Sequence, residues 1–143
     1  MTAIEEHIKK IKEHLGEIEN AINEGIENKP ITIGFNCSAC SVQLLELFLH
    51  LDNKISMGHV IKHDWFKRPK EGQKIEPLIE RKLPVQFDLI KEVYNLIYTI
   101  EENRENLLYG KSDAEKIRLV LKSFNKLKEI ILPKIKEKGV EIG

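Results

Sequence analysis

The stretch EENRENLLYGKS (101–112) sets Arg104 among carboxylates and amides, with a Tyr-Gly pair at 109 and 110. A guanidinium presents a planar fork of donors that can grip a phosphate through two parallel hydrogen bonds, and it does not lose its proton. Arg104, followed by Tyr109 and Lys111, is therefore a candidate phosphate site. The plainer reading is a surface cation that complements the negative end of a helix dipole and pairs with Glu101 one turn back.

A second group, Cys37-x-x-Cys40 followed by His59-x-x-x-His63, has the ligand order of a zinc finger. The eighteen-residue interval 41–58 is somewhat longer than the usual finger allows and contains a buried helix. A metal held between helices by Cys37, Cys40, His59 and His63 is sterically open, because each pair shares one helix face. The reading preferred here has no metal, with the cysteines as small apolar packing residues and the histidines on a helix surface. A redox role needs a preceding strand and an aromatic-Gly-Pro context. GFNCSAC has neither, and no cofactor is expected.

The third group is HVIKHDWFKRPKEGQK (59–74), where Lys62, Lys67, Arg68, Lys70 and Lys74 alternate with Trp65, Phe66, His59 and His63. Positive charge contacts phosphate and aromatic faces stack on unpaired bases, so the pattern suits single-stranded RNA or a nucleotide. His59, Lys62 and His63 join Arg104 and Lys111 as expected ligand-binding residues. The alternative is a solvated loop tied down by Trp65 and Phe66.

Four long apolar-striped segments must position these groups. Thr2 with Glu5 forms a capping box, and Ile4, Ile8, Ile11, Leu15, Ile18 and Ile22 lay one stripe along a first helix reaching about Gly25. The segment ENKPITIGF is expected to be a connection marked by Pro30 and Gly34. Asn36 is expected to cap a second helix, CSACSVQLLELFLHL, apolar nearly all round and so central in a bundle. A short helix is expected from about Ser56 to Phe66, then an irregular loop, KRPKEGQKIEPLIERKLP, with one helical turn. From Pro84, a stripe through Leu89, Val93, Leu96, Ile97 and Ile100 marks a long helix to about Leu108, with Gly110 as its left-handed terminator. Ser112 with Glu115 forms a second capping box, and Ile117, Val120, Phe124, Leu127 and Ile131 carry the last helix to Pro133, leaving 133–143 as a frayed tail. With no strand signal, the expectation is an all-α, antiparallel bundle of four to five helices in one domain spanning 1–143.

The chain has 143 residues, with 23 Lys plus Arg balancing 23 Asp plus Glu, so any acidic partner must be recognised by a local patch. The opening residues are charged and periodic, unlike a signal peptide, and no apolar stretch approaches the roughly 18 residues of a membrane span. A cytoplasmic protein without a membrane partner is expected. Two cysteines are too few for a disulfide scaffold. Richness in Lys, Glu and Ile is the composition of thermophile proteins.

The order of these features resembles the HEPN superfamily: a central apolar helix, a Gly-His segment, a long helix ending Arg-x4-Tyr-Gly, then the capped helix SDAEKIRLVLKSFNKLKEII. The resemblance is strongest over 36–132. It implies a helical-bundle homodimer of a toxin–antitoxin or defence system, or one that partners a minimal nucleotidyltransferase. It further implies that Arg104 and Tyr109 lie near a groove between protomers. Active HEPN ribonucleases work without metal and follow the Arg with His after four to six residues, whereas here Tyr109, Gly110 and Lys111 occupy those places. Cleavage by the 2'-hydroxyl needs a group that exchanges protons near neutrality, which His supplies and a phenol titrating near 10 does not. The expectation is RNA or nucleotide-phosphate binding without strong nuclease activity. The alternatives are an active metal-independent ribonuclease using Arg104 with Tyr109 or a histidine from elsewhere, and a structural adaptor for a nucleotidyltransferase.

Overall fold

The computed structural model describes residues 3–72, 74–111 and 113–142. Helix α1 spans Ala3–Glu24, α2 Pro30–Leu51, α3 Leu78–Lys82, α4 Ile90–Tyr109 and α5 Ala114–Glu137, with 3-10 turns at Ile26–Asn28 and His63–Trp65. There is no strand among the described residues. The four long helices form a bundle in which α2 packs against α1, α4 and α5.

The registers are antiparallel. On one side of α2, Nδ1 of His14 bonds Asn36 at 2.8 Å and Nδ1 of His7 bonds Gln43 at 2.6 Å, so α1 runs against it. On the other, Gly34 meets Leu107 and Leu108 while Ser38 reaches Glu101, so α4 does the same. Gly34 is what allows the close approach: a Cβ there would stand 2.8 Å from Leu108 Cδ1 and 2.9 Å from Leu107 Cβ. Leu44, Leu45, Leu47 and Leu49 of α2 are fully buried, and truncating one to Ala would cost about 2–5 kcal/mol.

Several expectations need correction. Helix α2 begins at Pro30, so PITIGF is helical and Asn36 is a buried interior residue, not a cap. Proline at N1 has its φ already set for a helix and gives up an N–H that no helical carbonyl would accept. The longer α2 is, by length and composition, apolar enough to cross a membrane, contrary to the expectation that nothing approaches that measure. Of its most apolar stretch of 18 residues, 72% is buried within the bundle.

The expected helix at 56–66 is instead a turn and loop with the single 3-10 turn. Gly58, at φ 89, takes a left-handed conformation that ends any helix there. Helix α4 starts at Ile90 behind a left-handed Leu89 (φ 67), and Gly110 is extended (φ −99, ψ −172), not left-handed. Helix α5 carries Pro133 in its interior and continues to Glu137, because Ile131 and Ile135, one turn apart, are both buried. Val140 and Ile142 pack on the core beyond it, so 133–142 is folded. Thr2 and Ser112 of the two capping boxes lie outside the described residues; the cap bond of α5 runs from the Lys116 amide to Oδ1 of Asp113 at 2.8 Å.

Candidate functional site

The final turns of α4 place Glu101, Glu102, Arg104 and Glu105 along one side of the helix, and the loop 63–68 lies across them. Two anchors fix that loop. Phe66 is 1% exposed and sits edge-on to Tyr94 and Tyr98, with ring centroids 5.6 and 6.1 Å away. Arg68 lies over the Tyr98 ring at 5.3 Å, donates to Asn95 O at 3.3 Å and Thr99 Oγ1 at 3.4 Å, and pairs with Glu102.

Pinned in this way, the loop carries His63 to Glu101. The His63 Nδ1 meets Oε2 of Glu101 at 3.0 Å, and because a carboxylate only accepts, Nδ1 is the donor. The other carboxylate oxygen accepts from the hydroxyl of Ser38, a residue only 1% exposed. The Glu101 side chain is 8% exposed, so it bridges α2 and the loop from inside the structure.

His63, Arg68 and Arg104 open with Glu101, Glu102 and Glu105 onto one pocket of about 380 Å³. Arg104 is half-buried, and its Nε is fully buried without an acceptor among the described residues. Two neighbouring carboxylates are engaged elsewhere, Glu101 by Ser38 and His63 and Glu102 by Arg68. No family model, curated protein or solved structure matches this chain.

Of the residues singled out in the sequence, Arg104 and His63 share this pocket with Phe66, Lys67 and Arg68 of the basic and aromatic segment. Lys62 lines a neighbouring depression with Ala39, Val42 and Ile61. Tyr109 is 81% exposed on the bundle end and Lys111 is exposed beyond it; neither lines the pocket. His59 belongs to a different cluster, close enough to Glu46 and His50 for its charge to act on both.

The cysteines are core residues. Cys37 and Cys40 are both 0% exposed, and burial pushes both thiols up, Cys40 to about 12, so in the metal-free chain both are neutral thiols packed in the core. Among the described residues no group of three or more His, Cys, Asp or Glu is arranged to hold a metal ion.

Sequence reasoning missed Glu101 as the group that orients His63, and it missed the cluster around Glu46. That carboxylate is 4% exposed; it accepts the Ile61 amide at 2.6 Å and lies 3.6 Å from Nδ1 of His7. The signal was there: an acid inside the apolar run LLELFLHL has to find buried partners.

Proposed function

We propose that the chain is a HEPN-like protein of a toxin–antitoxin or defence system that binds RNA or nucleotide phosphate through Arg104, acting as a homodimer. The observation that carries this reading is a half-buried guanidinium at a pocket, with a buried Nε lacking an acceptor, beside two carboxylates committed to other donors. A phosphate in the pocket can accept from the face of the Arg104 guanidinium that lines it, in charge-assisted geometry. Counting His63 as neutral, the pocket sets three cations, Lys67, Arg68 and Arg104, against four carboxylates, Asp64, Glu101, Glu102 and Glu105. Binding therefore rests on contact geometry, with little long-range attraction to the polyanion.

The dimer reading is supported by exposed apolar side chains at the same end of the bundle. Ile31 and Phe35 are 61% and 47% exposed on either side of Gly34, which seats on Leu107 and Leu108 just before the exposed Tyr109. Exposed apolar side chains near one helix end are suited to an interface between copies. The toxin–antitoxin or defence role comes with the family resemblance alone.

A second reading, a metal-independent ribonuclease, is favoured by one observation: His63 shares the pocket with Arg104 and has its Nδ1 held by Glu101. That bond leaves Nε2 as the nitrogen available to exchange a proton with a ribose hydroxyl, the part that Tyr109 is unsuited to play. Titrating the protein with a single-stranded RNA oligonucleotide while following backbone amides by NMR tests the site. Shifts concentrated at 63–68 and 101–105 are expected; shifts confined to other surfaces would overturn it. RNA cleavage in EDTA, lost in His63→Ala with binding retained, would establish the enzyme reading over the binding one.

A further inference from the structure

A second pocket, of about 620 Å³, lies on the other side of the loop, walled by α3, the connection 83–86 and the first half of α4. Its lining combines two kinds of group. Leu83, Pro84 and Val85 with the Tyr94 and Tyr98 rings give apolar and aromatic walls, and Glu76 and Glu80 bring two carboxylates against the single cation Lys91.

The observation that points to a ligand is independent of this acidity. Tyr94 is 4% exposed, lines the pocket, and has a buried hydroxyl with no hydrogen-bond partner among the described residues. Leaving a buried hydroxyl unbonded costs roughly 1–3 kcal/mol, so such a group in a folded protein calls for a partner. Burial and the nearby charges of Tyr98 and Glu80 push the phenol up, so it stays a neutral hydroxyl able to accept. The adjacent Tyr98 ring already carries one cation, the Arg68 guanidinium at 5.3 Å.

We propose that this pocket binds a protonated aliphatic diamine or polyamine. One ammonium group is held by Glu80 and the Tyr94 hydroxyl, another by Glu76, and the methylenes between them lie on the Tyr rings and Pro84. An ammonium carries only donors, which match two carboxylates and an acceptor hydroxyl, and an aromatic face adds cation–π attraction. A methylene chain uses the apolar wall, which a hydrated divalent ion would leave unused. The site is separate from the phosphate pocket and does not depend on that reading.

The test is calorimetric titration of the whole chain with putrescine and with spermidine, on wild type, Glu80→Gln, Tyr94→Phe and Arg104→Ala. Saturable binding is expected, weakened about tenfold or more in Glu80→Gln and Tyr94→Phe and unchanged in Arg104→Ala. Because the Tyr94 hydroxyl has no partner among the described residues, Tyr94→Phe should keep or raise its melting temperature, so its loss of affinity reports on the ligand. Absence of saturation, equal affinity in wild type and Tyr94→Phe, loss of binding in Arg104→Ala, or equal displacement by magnesium chloride at matched ionic strength would each overturn the proposal.

Discussion

His63, in the loop after α2, and Glu101, on α4, meet at 3.0 Å, and the same carboxylate takes the hydroxyl of Ser38 on α2. One buried side chain thus ties together the two longest-range parts of the candidate site. Glu101→Ala leaves the Ser38 hydroxyl buried without its acceptor, which should cost about 1–3 kcal/mol in a urea unfolding titration. It should also release His63, seen as faster hydrogen exchange of the 61–66 amides. Unchanged stability and exchange would show that the bridge does not hold the loop.

The close approach of α2 to α4 rests on Gly34. Gly34→Ala forces its Cβ against Leu107 Cβ, an atom next to the α4 backbone with little freedom to move. The gain in helix propensity is below about 1 kcal/mol, while overpacking typically costs about 1–3 kcal/mol. A net loss of stability is expected in a denaturant titration; a stabilised variant would contradict the tight contact.

The ends and middle of the chain differed in how much could be read from sequence. The stripes of α1, α4 and α5 were legible because each helix buries one face, and the all-helical bundle followed. The start of α2 was not, since Pro30, Thr32 and Gly34 look like connection residues until the packing on Leu107 and Leu108 is known. Pro133 looked like a stop because the pull of Ile135 into the core is a tertiary effect. Arg104 stood out in the sequence as a candidate phosphate ligand. Its pairing in space with His63 did not, because the loop path depends on Phe66 inserting beneath Tyr94 and Tyr98 and on Arg68 reaching Glu102.

Acid should weaken the fold through His50. Its ring is 5% exposed and 5.0 Å from that of His7, and burial, with the charges of His7 and His59, holds its pKa below the ordinary 6.5. Its contribution to stability is therefore complete above pH 6.5 and lost as pH falls through the folded value. Glu46, facing His7, Lys10 and His59, has the opposite sign. Burial pushes it above the usual carboxylate range, so its contribution is present at low pH and lost as pH rises through the folded value. From about pH 7 to about pH 5, His50→Gln should lose less stability than wild type; parallel losses would assign the acid sensitivity to other groups.

The two thiols should be inert in the native protein. With Cys37 and Cys40 fully buried and their thiols pushed up, a thiol reagent at neutral pH should label neither until the chain unfolds. Labelling followed by mass spectrometry checks this. Rapid modification of either cysteine under native conditions would place it outside the core.

The central claim, that Arg104 binds phosphate, is tested most directly by fluorescence-anisotropy titration of a labelled single-stranded RNA with wild type and Arg104→Ala, paired with melting temperatures. The account predicts affinity weakened about tenfold or more. The slope of log affinity against log salt should fall by about one, with the melting temperature nearly unchanged. Equal affinity and equal salt dependence in two equally stable proteins would contradict it.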